Sequence, residues 1–481
     1  MDHLLDWDIE TLILRQQRGE MSAYEIAVAC FEQIAKHNTQ GASLRAVIEV
    51  NPDALWIAAA LDSDRQRGVW RGPLHGIPML VKDNLDTADT MHTTAGSVAM
   101  AEHRAMADAE VVRRLRAAGA VIIGKANLTE WANFISDHMK NGYSSRGGQT
   151  LNPYGPGVFD VGGSSAGSGA GVAVGFAVAA IGTETSGSIL SPSSNNSLVG
   201  IKPTVGLVSR TGIIPISMSQ DTAGPMARTV ADAARILEVI AGVDTKDAAT
   251  LATQPIFPKY TSLLSTGGLS GARIGVVRGN YTSELTDDEQ ALYERAVEDL
   301  TRLGAVVVDL TDFPPAKMNA GMDVMVYEFK VALNAYLART SPTNPHRTLA
   351  DLIRYNEEHA DVALKYGQAL FHMAEETSGT LTEARYLEAR LQDLACSRAQ
   401  GIDKALKDHG LDALLFPSYF GCRIAAKAGY PSLTVPAGYT EEGKPFGITF
   451  TGTAFAEGKL IHLAYDYERA TVHRKPPDLV K

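Results

Sequence analysis

Three residues of this chain are of types that could do chemistry together. Lys82 ends the apolar stretch Ile77 to Val81, and Ser164 and Ser188 lie downstream in a run of Gly, Ala, Ser and Thr. The segments are PLHGIPMLVKDN around Lys82 and VGGSSAGSGAGVAVGFAVAAIGTETSGSILSPSSNNSLVGIKPT from Val161. A hydroxyl is a poor nucleophile until a base takes its proton, and a lysine serves as that base when burial drives it neutral. Desolvation lowers a lysine pKa by about 3 to 5 units from its reference near 10.4, which brings it into working range. A stretch this poor in charge, with hydroxyls among glycines, suits a packed site where main-chain N–H groups come close to a reacting atom. Position alone does not single out Lys82, because Lys125 in IIGKAN and Lys202 in VGIKPT have similar flanks.

Several ready-made motifs fail. Gly163-Ser-Ser-Ala-Gly167 fits the Gly-x-Ser-x-Gly elbow that would make Ser165 a nucleophile, but the elbow should follow a buried strand and FDVGG is a Gly-rich turn. The glycines at 167, 169 and 171 miss the Gly-x-Gly-x-x-Gly spacing, and no Gly-Lys-Ser/Thr follows. No two of the 12 histidines lie four apart and no Cys-x-x-Cys exists, so the common zinc spacings are missing. No serine lies three residues before a lysine, which removes the Ser-x-x-Lys arrangement. Neither a cofactor nor a metal is expected.

The elements that must position these residues are those of an α/β protein. Amphipathic helical patterns run through about Ala60, with N-terminal helices expected over 1–65 and a catalytic core over 66–240. A helix followed by Gly-Ala-Val and a strand occurs in VVRRLRAAGAVIIGK and again in ERAVEDLTRLGAVVVDL, the second opening on a capping box at Thr286 and Glu289 and closing on Gly304. Helices alternating with β-branched strands point to a sheet covered by helices. From Val243 to Gly271 the pattern loosens into a long surface connection before the strand ARIGVV. The chain is then helical in pattern over 327–408, with Leu387, Leu391 and Leu394 on one face, and reads as a helical insertion in the C-terminal half. Strand-like sequence returns at LDALLFPS and PSLTVPAGY and is expected to rejoin the sheet begun near Leu74, which favours a single domain over 1–481.

Composition bounds the partners. A formal charge of -11 over 481 residues argues against a nucleic-acid surface, which needs clustered Lys and Arg. The start, MDHLLDWDIETLILRQQ, lacks the basic segment and long apolar core of a signal peptide, so a cytoplasmic location is expected. The most apolar stretch, Gly169 to Gly182, is shorter than the roughly 20 residues a membrane helix needs, and no membrane partner is expected. Cys30, Cys396 and Cys422 are an odd, scattered set that implies neither a disulfide framework nor a zinc knuckle.

With these residues laid out, the chain resembles the amidase signature family, whose members hydrolyse carbon–nitrogen bonds with a Ser-Ser-Lys triad. The resemblance runs from about Ala23 to Pro477 and is carried by GPLHGIPMLVKDN, the TTAGS at Thr93, GGQTLNPYG, GGSSAGS, GTETSGSI, VGIKPT, DTAGPMART and AGYPSLTVPAGY. It implies a large mixed central sheet covered by helices on both faces. It also implies that Lys82 rather than Lys125 or Lys202 is the base, that Ser164 is the bridging serine held in a cis peptide after Gly163, and that Ser188 is acylated. The family keeps those serines 24 residues apart, as 164 and 188 are here. Its oxyanion hole falls on the backbone N–H groups of Thr185, Ser186, Gly187 and Ser188, and Ser165 becomes the neighbour of a catalytic residue.

Within the family the likeness is to bacterial peptide amidases, through LTEWANF, SSRGGQTLNPY, GTETSGSI and GLVSRTGIIPISMSQDTAGPMA. The substrate implied is a small-molecule or peptide amide, handled by a monomer or homodimer. Many members carry an arginine two residues after the nucleophile where this chain has Leu190. In the glutaminase subunit of tRNA-dependent amidotransferases that arginine helps hold a free amino acid, so Leu190 weighs against that role. The third reading, an inactive member used for binding, is disfavoured because all three catalytic positions are filled. The segment PSYFGCRIAAKAGYPS after Phe416 is shorter than in peptide amidases and, with the 327–408 helices, is expected to shape substrate preference.

Overall fold

The computed structural model describes residues 7–252, 259–311, 313–314 and 321–479. Eleven strands form one mixed sheet, in the spatial order Val47–Val50, Val121–Ala126, Pro78–Lys82, Ala179–Glu184, Thr222–Ala227, Val199–Lys202, Ser432–Tyr439, Pro445–Thr451, Ala413–Pro417, Arg273–Val277 and Val306–Leu310. Pro78–Lys82 is parallel to both of its neighbours, whereas Ala179–Glu184 runs antiparallel to Thr222–Ala227. The C-terminal strands do rejoin the sheet, whose first strand in the chain is Val47–Val50 rather than one near Leu74, and helices cover both of its faces.

Alternation along the strands sends successive side chains to opposite layers. Met79, Val81, Ile122, Ala179 and Ile181 pack with residues of the helices Ile9–Gln17, Glu110–Ala117 and Val230–Ile240. Leu80, Val121, Ile123 and Ala180 pack on the other side with Ala23–His37, Ala54–Gln66 and the Gly-rich helix Ala166–Ala173. Both layers bury the central strands completely, which is why PMLVK and AAIGTE read as continuous apolar runs rather than alternating ones. Fully burying one side chain such as Leu80 contributes about 1.5–3 kcal/mol. The same two-residue period places Lys82 on the face of Leu80, toward Ala166–Ala173.

Local chemistry sets the helix ends. Ser22 with Glu25, Thr286 with Glu289 and Thr348 with Asp351 each form a capping box. Gly304 closes Asp287–Arg302 at a φ of +93°, where a side chain would be strained. The N-terminal 1–65 region is not helical throughout, because Val47–Val50 intervenes as an edge strand antiparallel to Val121–Ala126. Four residues are too few for their period to stand out between two longer helical patterns. Part of the long connection from Val243, residues 253–258, lies outside the described residues.

The C-terminal helices include Asp323–Leu337, Leu349–Glu358, Ala369–Glu375, Ala384–Leu394 and Asp403–His409. Leu387 and Leu391 do not face the core: they are 48% and 68% exposed. The buried side of Ala384–Leu394 is instead polar, with Asp393 paired to Lys427. Among the described residues no helix is long and apolar enough to cross a membrane.

Candidate active site

Lys82 is fully buried at the C-terminal end of its strand. Its Nζ lies 2.7 Å from Ser164 Oγ, 2.9 Å from Thr183 Oγ1 and 3.2 Å from the Thr183 carbonyl. Thr183 is presented by the parallel neighbour Ala179–Glu184, and its Oγ1 also accepts from Asn84 Nδ2 at 3.0 Å. Burial pushes the Lys82 pKa down to about 7, against the opposing pull of the Glu184 and Asp221 carboxylates.

Ser164 precedes the helix Ala166–Ala173, and the Gly163–Ser164 peptide is cis. The helix sits close to the sheet because it is built from small residues. A Cβ on Gly167 would lie 2.2 Å from the Ala46 carbonyl oxygen and 2.5 Å from that of Asn127, so the backbone itself is the packing surface. The Ser165 hydroxyl is buried and engaged with the Thr183 backbone, donating to its carbonyl at 3.2 Å and accepting from its N–H at 3.3 Å. Ser165 also donates its N–H to the Ser188 carbonyl at 3.2 Å, which joins the two serine-bearing segments.

Ser188 lies in the turn between Ala179–Glu184 and the short helix Leu190–Asn195, and is 8% exposed. Two carboxylates that the sequence reading did not assign hold this turn. Glu184 accepts from the N–H groups of Gly187 (2.7 Å), Ile189 (2.7 Å) and Leu190 (3.0 Å). Desolvation raises its pKa, while the Lys202 charge and those three donors oppose the rise. Asp221 accepts from Thr185 Oγ1 at 2.6 Å, and burial lifts its carboxyl to about 6. Of the four N–H groups expected to line an oxyanion hole, that of Gly187 donates to the Glu184 carboxylate. Gly187 itself is required by the turn: its φ is +86°, and a Cβ there would lie 3.0 Å from Cys422 Sγ.

The other two strand lysines are buried but meet no serine. Lys125 Nζ donates to the Leu85 carbonyl at 2.7 Å and to Thr93 Oγ1 at 2.8 Å, and Lys202 donates to the Tyr430 carbonyl. Leu190, at the position of the missing arginine, is fully buried.

A cavity of about 470 Å³ reaches the site through Thr183, Glu184 and Thr185. Ile214 and Ile216 line it from the loop before Thr222–Ala227, and Ala332 and Tyr336 from the helix Asp323–Leu337. Tyr336 donates its hydroxyl to Asp86 Oδ1 at 2.7 Å, and His103 Nε2 lies 3.2 Å from the same hydroxyl. Burial pushes His103 down to about 4 and Asp86 up to about 7. The segment after Phe416 reaches the site by another route, with Cys422 and Tyr419 against Gly187. Among the described residues no group of three or more candidate metal ligands is brought together.

Asn84, Thr183, Glu184 and Asp221 are the site residues that sequence reasoning missed. Their signal was weak but present, as polar residues adjoining apolar strands in KDN, GTETSG and SQDTAG.

The chain resembles known amidases along nearly its whole length. The family model described as Amidase matches residues 25–461. A protein of Arabidopsis thaliana named as a probable amidase is 40% identical over 486 residues, covering 98% of this chain and 91% of its own. The crystal structure of the peptide amidase of Stenotrophomonas maltophilia superposes with a TM-score of 0.93 at 45% identity, covering 98% of this chain and 99% of that one. A glutamyl-tRNA(Gln) amidotransferase component of Chloroflexus aurantiacus is 33% identical, covering 96% of each chain.

Proposed function

The chain belongs to the amidase family, a family of enzymes that hydrolyse carboxylic amide C–N bonds, and from that premise we propose that it acts on the C-terminal carboxamide of peptides, or on small amides, through Lys82, Ser164 and Ser188. The observation that carries the proposal is the 2.7 Å approach of a fully buried Lys82 amine to the Ser164 hydroxyl.

A neutral amine has two N–H donors and one lone pair. The Thr183 carbonyl and Oγ1 accept the two donors, which leaves the lone pair for the Ser164 proton. Ser164 in turn takes the proton of Ser188, whose oxygen attacks the amide carbonyl. The N–H groups of Thr185, Ser186 and Ser188 remain as candidate donors to the oxyanion, each such donor being commonly worth about 3–4 kcal/mol. The proton returns to the leaving nitrogen, the C–N bond breaks and ammonia departs. Water then enters, gives up its proton along the same path, and releases the carboxylic acid and free Ser188. No step calls for a metal or an organic cofactor.

Two observations favour a peptide amide. The chain is 45% identical to a peptide amidase over nearly its full length. The cavity beside Thr183 to Thr185, at about 470 Å³, falls in the range of small-ligand sites and leaves room for more than a bare carboxamide. The likeness to an amidotransferase component supports a second reading, ammonia transfer to a partner; Leu190 in place of an arginine counts against it. Ammonia release by the isolated chain from an amidated peptide, free glutamine, a fatty amide and an aryl amide separates the two. Release from the peptide amide, lost in Lys82→Ala, is the expected result, and release from glutamine alone would move the assignment to the amidotransferase.

A further inference from the structure

We infer that Asp221 and Glu328 are positioning residues that tie the helical wall of the cavity to the turn carrying Ser188, an inference that rests on the reading of Ser188 as the acylated serine. Asp221 faces two ways. One oxygen accepts from Thr185 Oγ1 at 2.6 Å, and the other accepts the N–H groups of Ile216 at 2.8 Å and Ser217 at 2.9 Å. Its neighbour Gln220 donates to the Thr185 carbonyl at 3.3 Å. Thr185 is thus held at its side chain and at its backbone by a single loop, three residues before Ser188.

That loop is itself held from the helical layer. Glu328, on Asp323–Leu337, is 1% exposed. Its Oε2 accepts from Ser217 Oγ at 2.5 Å and from the N–H and hydroxyl of Ser219, both at 3.0 Å. Its Oε1 accepts from the Tyr386 hydroxyl of Ala384–Leu394 at 2.9 Å. A continuous path of hydrogen bonds therefore runs from Tyr386 through Glu328, Ser217 and Asp221 to Thr185. Among the described residues neither carboxylate forms a salt bridge, so the donors of this loop, together with Thr185 Oγ1 for Asp221 and the Tyr386 hydroxyl for Glu328, carry the cost of burying both.

The arrangement bears on turnover because the loop does two things. Ile214, Ile216 and Met218 line the cavity, and the residues beside them hold Thr185. Whatever fills the cavity rests on the loop that sets the oxyanion turn, and a misplacement of about 1 Å there is enough to cost on the order of 100-fold in rate.

The test is a double-mutant cycle on Glu328→Gln and Thr185→Val, the latter keeping its N–H but losing the hydroxyl that Asp221 accepts. The readouts are the rate at which a fluorophosphonate labels Ser188, mapped by mass spectrometry, and kcat and KM on an amidated peptide. Each single variant is expected to slow labelling and kcat roughly tenfold with KM within about twofold, and the double variant to be no slower than the slower single. Multiplying effects, or unchanged labelling in Glu328→Gln, overturn the inference while leaving the proposed function intact. Absence of labelling at Ser188 in the unsubstituted chain overturns the proposed function and this inference together. Should Glu328→Gln not fold, Ser219→Ala takes its place, since it removes one donor to Oε2 and leaves the carboxylate, and the same non-additivity is required of it.

Discussion

Three lysines lie buried on strands of this sheet, and what separates them is what each amine meets. Lys125 and Lys202 donate to carbonyls, and Lys202 is pushed down only to about 8. Lys82 meets a serine hydroxyl and is pushed down to about 7 by burial. Because only the neutral amine accepts a proton, kcat/KM for an amide is expected to rise with pH through about 7 and then level off, and a rate that falls over that interval would remove Lys82 as the base. Lys82→Ala is expected to cost 100-fold or more in kcat, the usual scale of a lost general base, with no loss in unfolding midpoint, since a buried amine is itself costly to desolvate. Ser188→Ala is expected to abolish the covalent adduct with a serine-directed reagent, and an adduct found on Ser165 instead would reopen the hydrolase-elbow reading. At this scale the sequence showed the residue types but not which lysine counts. That distinction came from family resemblance, because Lys82, Lys125 and Lys202 have the same kind of flank and differ in partners up to 228 residues away.

Short elements do the positioning. The helix Ala166–Ala173 approaches the sheet so closely that Gly167→Ala must displace backbone at Ala46 and Asn127, and a loss of about 1–3 kcal/mol or more is expected in chemical denaturation. The turn after Glu184 is held by one carboxylate taking three N–H groups, including that of Gly187. The run of small residues in SSAGSGAG signalled a packed site in advance, though not the helix that packs there, whereas the role of Glu184 depends on the turn folding back over its own strand. Ala384–Leu394 shows the opposite failure. Its leucine stripe has helical spacing, yet Leu387 and Leu391 are exposed while Asp393 is inside, paired with Lys427. Leu391→Lys is therefore expected to change stability by less than about 0.5 kcal/mol, and Lys427→Ala to cost about 3–5 kcal/mol by stranding a buried carboxylate. Denaturant midpoints of the two variants check this, and the reverse order would place the leucines in the core.

Across the whole molecule, one sheet collects strands from Val47 to Thr451, and the pocket is walled in part by the helix Asp323–Leu337, which comes between Val306–Leu310 and Ala413–Pro417 in the chain. On that basis we propose a single cooperative domain, for which calorimetry is expected to show one unfolding transition with matching calorimetric and van't Hoff enthalpies. The sequence by itself determined the class of the fold, the central strands, the helix caps and the serines and glycines of the site, because these rest on period, composition and local backbone demands that a short window carries. Only the tertiary structure decided that Thr183 receives the Lys82 amine and is itself held by Asn84, that Glu184 occupies the Gly187 N–H, and that Asp221 and Glu328 brace the turn from the helical layer. Those contacts join segments as far as 111 residues apart, and a buried polar group's partner is set by where the packed chain leaves a donor unsatisfied, which no local pattern records.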